Sequence, residues 1–306
     1  MTEHRLDPAP DTVTDVFSSG RPPVLTVDPG DTLVVRSLDA AGFLERQPID
    51  GERAPQLIPD ARGHCLTGPI AVRGARPGMM LAVRLLALRP GDWGWTVAAA
   101  RDTQLNQRLG VAGGKPSRLS WDIDADAGTA RNDRGLTVDI APFLGVIGLP
   151  PAEPGDHSTI PPRPSGGNID CRDLVAGSTL YLPVTVPDAL LCVGDGHARQ
   201  GHGEVCGTAV ECPMTTTFTV DLVAEPPVPT VHAVTPAGRI TFGFSEDLND
   251  ASAQALDAML GWLGLLYDVD RATALALASP VVDLHVTQVA NEVWGVHAVL
   301  PDGALR

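Results

Sequence analysis

Between Gly166 and Met214 the chain carries Asn168, Asp170, Cys171, Asp173, Asp195, His197, His202, Glu204 and Cys206, each able to bind a metal or move a proton. They form two clusters separated by a short apolar run around Leu190–Val193, so a fold-back would bring the clusters together. Asn168 and Asp170, Asp195 and His197, and His202 and Glu204 are each two residues apart, and in extended backbone such pairs point the same way. Glycines at 194, 196, 201 and 203 allow tight turns and close approach to a ligand. Carboxylates with imidazole suit a borderline or hard dication with one position left for water. Asp170, Asp195 and His197, joined by a remote histidine such as His64, make one such set. The structural alternative is a glycine-rich turn region whose aspartates cap their own backbone. A third chemistry is thiol attack by Cys206, or by Cys171 beside Asp170. With Val205–Val210 as a strand, Cys206 shares a face with Glu204 and His202.

Other polar features have simpler readings. Asp122–Asp126 (DIDAD) lacks the glycine and distal glutamate of an EF-hand loop. His285, in LHVTQV, reads as a sheet residue. Trp93 and Trp95 flank a glycine and suit a partly buried rim. A G-x-S-x-G elbow and a P-loop are both absent from the sequence.

The elements that must position these residues read mainly as strands. The first 90 residues hold short β-branched runs around Pro29-Gly30, Pro77-Gly78 and Pro90-Gly91, with strands expected at Ile70–Val72 and Met80–Leu88. The imperfect alternation of Leu33-Val34-Val35 suggests burial on both faces. Arg101–Ala130 reads as loops and short strands, and Pro161-Pro162 as excluding regular structure. Further strands are expected at Thr179–Val184, Ala189–Val193, Val205–Val210 and Thr215–Val223, the last rich in threonine. Helical spacing is confined to the C-terminal part: Asp250–Leu265, capped by Ser245 or Asn249, and Arg271–Ala278, capped by Asp270. Strands close the chain. The sum is a β-rich α+β fold, a sandwich or barrel core with a C-terminal helical pair, in a single domain spanning residues 1–306. Residues 225–229 (EPPVP) read as a connector inside it.

Composition sets limits on function. The 306 residues include 32 Gly and 28 Pro, which favour turns over long helices. A formal charge of -15, with 4% aromatics, argues against a nucleic-acid partner. No stretch approaches the roughly 20 apolar residues of a membrane span, and no targeting segment is expected. Five cysteines without a CxxC pair read as free thiols of a cytoplasmic protein.

The stretches HCLTGPIAVRGARPGMMLAVRLL (64–86), FLGVIGLPPAEPGDHSTIPPRPSGGNIDCRDLVAGSTLYLPV (143–184) and ALLCVGDGHARQGHGEVCGTAVECPM (189–214) resemble the acetamidase/formamidase family. The resemblance implies a metal-associated amidohydrolase of small aliphatic amides, cytoplasmic and homo-oligomeric, most simply a dimer. It implies that His64 lines the site, that GGNxD supplies Asn168 and Asp170, that GDGH supplies Asp195 and His197, and that GxGE supplies Glu204. The reaction expected is hydrolysis of a formamide- or acetamide-type substrate at a divalent metal, with zinc preferred. Asp170, Asp195 and His197 then hold the metal, Glu204 moves the proton, and Asn168 donates to the substrate oxygen. The chain departs from the family pattern at Met79, Cys171, Asp173 and His202. Asp173 and His202 are therefore candidates for a second metal or for tuning the first. The alternatives are an inactive metal-stabilised binding protein and a cysteine-dependent amidase using Cys206 or Cys171.

Overall fold

A computed structural model describes residues 1–48, 53–99 and 101–306. The first 90 residues are strands and turns as expected, apart from residues 49–52, which lie outside the described residues. Two large sheets dominate. A nine-stranded sheet runs in the order Glu3–Leu6, Thr32–Ser37, Met214–Val223, Met80–Pro90, Thr179–Pro183, His232–Thr235, Gly238–Ser245, Trp294–Leu300, Asp283–Gln288. It draws strands from both sides of residues 225–229. A seven-stranded sheet runs Pro162–Arg163, Gly166–Asn168, Phe143–Gly148, Leu191–His197, Leu66–Val72, Val13–Thr14, with Leu25–Val27 parallel to Leu66–Val72. Alternation sends Leu33, Val35, Phe218 and Val220 inward from the first sheet. They share one apolar cluster with Ile70, Val72, Leu144, Ile147, Leu191 and Val193 of the second. The sheets therefore pack face to face as a sandwich.

Strands Leu66–Val72 and Leu191–His197 are buried at every position. A central strand covered on both faces reads as a continuous apolar run rather than an alternating one. Polar side chains at the end of such a strand are therefore removed from water by the fold itself. A four-stranded sheet, Thr137–Asp139, Thr129–Asn132, Ser117–Asp124, Trp93–Ala98, stands beside the sandwich.

The C-terminal helices, Leu248–Tyr267 and Arg271–Ala278, back the nine-stranded sheet. Ala251, Ala255, Met259 and Leu263 pack with Ala274, Ala278, Val296, Ala298 and Leu300. Gly243 is required there: a Cβ on it would run into the carbonyl of Ala251. Along Trp294–Leu300 the even residues face the helices, and Val299 joins the inner core cluster. Strand alternation puts His297 on that same inner face.

Several boundaries differ from expectation. The long helix is capped by Asp247, whose Oδ1 accepts from the amides of Asn249 and Asp250 at 2.7 and 3.1 Å, rather than by Ser245 or Asn249. An ionised carboxylate satisfies two orphan amides and faces the positive end of the helix dipole. Leu33 and Val35 are buried while Val34 is only partly so, so that strand alternates after all. Pro162 does enter a two-residue strand, where its missing N–H is harmless at the sheet edge. Arg101–Ala130 contains a short helix, Gln104–Arg108. Val205–Val210 is loop, not strand. No helix among the described residues is long and apolar enough to cross a membrane.

Candidate active site

The seven-stranded sheet delivers the site. Asp195 and His197 lie at the end of Leu191–His197, which pairs with Phe143–Gly148 through Val146–Gly194, Leu144–Gly196 and Phe143–His197. Asp170 follows the Gly166–Asn168 strand, its amide bonded to the Gly145 carbonyl at 3.2 Å. Glu204 sits in a loop tied to the C-terminal strands, with Gly203 N donating to Thr287 O and Val289 N to Gly203 O at 3.0 and 2.8 Å. Glu211 bridges to Trp95 by two backbone bonds of 3.0 and 2.9 Å, and its Oε1 accepts from Ala209 N at 2.7 Å. His64 precedes the Leu66–Val72 strand and is anchored to Thr159 Oγ1 through its amide (2.8 Å) and its Nδ1 (3.1 Å).

These elements converge on a cavity of ≈ 300 Å³ whose lining includes His64, Trp95, Asn168, Asp195, Glu204 and Glu211. That is the lower end of the range for small-ligand sites. One ligand atom each from Asp170, Asp195 and His197 lie within 4.8 Å of one another, as do those of His197, Glu204 and Glu211. His197 Nε2 stands 3.3 Å from Asp195 Oδ1 and 3.2 Å from Glu211 Oε2. Its other nitrogen, Nδ1, meets Gln200 Oε1 at 2.9 Å, while Gln200 Nε2 donates to the Asp170 carbonyl at 2.7 Å. With its amide thus oriented, Gln200 accepts from Nδ1–H. Nε2 is left as the free atom, aimed at two carboxylates.

The electrostatics are those of a cation site with its charge unbalanced. Both carboxylate oxygens of Asp170, His197 Nε2, Glu204 Oε2 and Glu211 Oε2 are buried without a hydrogen-bond partner. Burial, then the neighbouring Asp195 charge, pushes Asp170 well above the usual carboxylate range. Burial, then Asp170, does the same for Glu204. Burial raises Glu211 to about 7. For Asp195 the cost of burial is outweighed by the imidazoles of His197 and His64, which hold it below its ordinary value. His197 is likewise buried, yet the Glu211 and Asp195 charges lift it well above a free histidine. His64 is lowered by burial. Buried, unpaired carboxylate oxygens are costly unless a cation or proton satisfies them. Four carboxylates around one lone-pair nitrogen fit a divalent ion.

The backbone is bent to make this arrangement. Asp170, Asp195 and Glu204 all have positive φ, at 52°, 58° and 43°. A non-glycine residue there costs of order 1–3 kcal/mol, and such outliers cluster at functional sites. Gly145 supplies the space: a Cβ would come closer than 3.0 Å to both Asp195 Oδ2 and Asp170 Oδ1.

The expected residues Asp170, Asp195, His197, Glu204, Asn168 and His64 thus meet around one place. Asn168 Nδ2 donates to Ile160 O at 2.9 Å, and its buried Oδ1 has no partner. Asp173 and His202 do not join this set. They lie together in a separate group with His297, because their side chains leave the shared loops on the other side. Cys171 is fully buried and its thiol is raised by burial. Cys206 lies in the 205–210 loop, where its Sγ points to Thr208 O at 3.3 Å. It therefore does not share a strand face with Glu204 and His202. Glu211 and Gln200 were not anticipated. Glu211 reaches the site through pairing with Trp95 and His197, which carries no local sequence signal.

The acetamidase/formamidase family model matches residues 15–158 and 155–292. The chain belongs to that family. Its members are hydrolases of small amides. The chain is similar to the acetamidase of Bacillus halodurans, at 30% identity with a TM-score of 0.87 over 97% of each chain. It is also similar to the acetamidase of Yersinia enterocolitica, at 25% identity and a TM-score of 0.85, covering 99% of this chain and 93% of that one. The formamidase of Methylophilus methylotrophus is 27% identical over 241 residues, 61% of this chain and 58% of that protein. As an acetamidase/formamidase relative, the chain keeps the β-rich sandwich with its helical pair.

Proposed function

We propose that this protein is a metal-dependent amidase that hydrolyses a small aliphatic amide, of the formamide or acetamide type, to a carboxylate and ammonia. The observation that carries the proposal is the convergence of orphaned, buried donor atoms from Asp170, His197, Glu204 and Glu211 beside Asp195. Asp170, Asp195 and His197 would hold the ion, with Glu211 as a further ligand or as the charge that orients His197. A bound dication, zinc by preference for this donor set, would lower the pKa of attacking water and oppose the charge developing on the amide oxygen. Glu204 contributes the proton path: it lines the cavity, its Oε2 is buried without a partner, and its raised affinity for protons suits a group that takes one from water and gives it to the leaving nitrogen. Asn168 Oδ1 is free to accept from the substrate N–H, which suits an amide and orients its carbon toward the water. One Asn168 amide proton is held by Ile160, so accepting fits it better than donating. His64, lowered by burial and fixed by Thr159, is a neutral partner on the cavity wall.

Glu204→Gln tests this directly. Ammonia release from formamide or acetamide should fall about 10²–10⁴-fold with bound metal unchanged. Full turnover in that variant would overturn the role of Glu204. Cys206→Ser should leave turnover intact, and its loss would revive the thiol route.

The same reading takes the 306 residues as one catalytic unit, supported by the sheet that runs across residues 225–229. It places the protein in the cytoplasm, supported by five free cysteines. It also takes the protein as a homo-oligomer, most simply a dimer. Trp262 and Leu263 are buried within the chain, but Leu265 and Leu266 remain exposed and suit a partner copy. Light scattering that gave a strict 32.0 kDa monomer would refute the oligomer.

A further inference from the structure

Behind the acidic cavity, on the other side of the same two loops, lies a group of side chains that amide hydrolysis does not use. Cys171 Sγ, a carboxylate oxygen of Asp173 and a ring nitrogen of His297 all lie within 4.8 Å of one another. His297 Nε2 is 3.3 Å from Asp173 Oδ2, and His202 Nε2 approaches the same oxygen to 3.8 Å. Asp173 Oδ1 is turned the other way, toward Arg172 Nε at 3.8 Å. The rings of His202, His285 and His297 contact one another, with centroids 4.6, 5.1 and 5.2 Å apart.

Two details mark this as a built donor set. The Thr287 hydroxyl meets His297 Nδ1 at 2.7 Å, and both side chains are fully buried. Fixing one imidazole nitrogen in this way orients the other toward a ligand, as the outer-shell partners of metal-bound histidines do. His202 Nδ1 is buried without a hydrogen-bond partner, and its Nε2 stands beyond hydrogen-bond reach of Asp173. Three imidazoles in contact around one carboxylate are poorly served by protons, since each added charge would repel the next.

We propose that Cys171, Asp173 and His297 form a second metal site, separate from the acidic cavity, for a borderline dication such as zinc, with His202 standing beside Asp173 at its edge. Tetrahedral zinc, with bonds of about 2.0–2.3 Å, sets its donors about 3.3–3.7 Å apart. The 3.3 Å between Asp173 Oδ2 and His297 Nε2 matches that spacing. Binding forms the sulfur–metal bond as the Cys171 S–H proton leaves to solvent. One thiolate and one carboxylate, with the neutral His297 imidazole, then cancel the dication, so the buried centre carries no net charge. His285 covers the stack from the edge strand Asp283–Gln288. The site joins the 170–173 loop to the C-terminal strands, on which the 202–204 loop is already held by Gly203 N–Thr287 O and Val289 N–Gly203 O. It is a structural clamp on the two loops that carry Asp170 and Glu204, and it stands whether or not the protein hydrolyses amides.

Cobalt(II) added to the chelator-treated protein separates the two sites, because only the second offers a thiolate. The expected result is a near-ultraviolet thiolate-to-cobalt charge-transfer band that persists in Asp195→Asn and Cys206→Ser and disappears in Cys171→Ser. Thr287→Val, which frees the His297 ring, should weaken the cobalt that gives this band about 10–100-fold. Asp173→Asn alters a half-buried residue and keeps the test valid if Cys171→Ser does not fold; it should weaken the same cobalt at least tenfold. Cobalt uptake without the band, or a band that survives Cys171→Ser or is unchanged in Asp173→Asn, overturns the proposal.

Discussion

Two neighbouring groups of side chains grow from the same two loops and end in opposite chemistry. Asp170 and Glu204 meet Asp195, Glu211 and the His197 imidazole beside a cavity that His64 also lines. Cys171, Asp173 and His202 point away from it, toward His297 and His285. On the first side four carboxylates exceed the charge of one dication by two, so protons must share the site. On the second, thiolate and carboxylate match a dication, and no proton need remain. A surplus of carboxylate beside open space suits proton transfer to a ligand. A balanced and mostly closed set suits permanence. The difference shows how one or two residues of sequence, read across a loop, separate a site that can turn over from one that holds still.

The comparison breaks most visibly through the acidic side. Asp195→Asn should empty the cavity of metal and reduce amide turnover to background, while the metal bound behind it stays, as counted by elemental analysis. Gly145→Ala should act nearly as strongly without touching a ligand. Its Cβ would displace the Asp170 and Asp195 carboxylates, removing metal and costing about 1–3 kcal/mol of stability in denaturant unfolding.

A pH series sharpens the contrast. In metal-free protein, Glu211 titrates at about 7 when folded against an ordinary glutamate value when unfolded, and Asp170 and Glu204 are raised as well. Between those values the folded state holds the extra protons, so these carboxylates make stability fall as pH rises through about 4.5 to 7, while His64, His202, His232 and His297, lowered by burial, act the other way below about 6.5. Asp195, held low beside His197 and His64, works in the opposite direction at more acidic pH. Metal binding displaces protons and strengthens as pH rises. The gap in Tm between loaded and metal-free protein should therefore widen across that window. A gap independent of pH would contradict the assignment of these carboxylates. The smallest effect serves as a control. Asp247→Ala removes the cap of the helix backing the His297 strand, and should cost about 1 kcal/mol while leaving amide turnover unchanged.

Much of this was legible in the chain. The GGNID and GDGH stretches place their carboxylates and imidazole at strand ends, where spacing of two carries them to one side. Arg271–Ala278 and its Asp270 cap are as the sequence indicates, because capping and periodicity are local. What failed was non-local or hidden in backbone conformation. Glu204 takes a left-handed conformation, so the expected strand at Val205–Val210 breaks, and Cys206 goes with the loop. Glu211 reaches the site through bridges to Trp95 and His197, residues 116 and 14 positions away, which no short window reveals. Asp173 and His202 were grouped with the first site by nearness in sequence, whereas the loops turn them to the far side. His285 and His297 come from the final two strands, and only the pairing of the nine-stranded sheet brings them there.

The three left-handed carboxylates give this fold a particular mutational bias. At Asp170, Asp195 and Glu204 the backbone already favours glycine or asparagine, and the carboxylates crowd one another in the metal-free state. Replacing Asp170 or Glu204 with one of those residues relieves strain and repulsion together, whereas Asp195 gives up its attraction to His197 and His64. For positions 170 and 204, loss of activity runs downhill in folding energy, and only demand for the reaction holds the acidic residues in place. Copies of this fold released from that demand should drift toward more thermostable, silent proteins, with positions 170 and 204 the first to change.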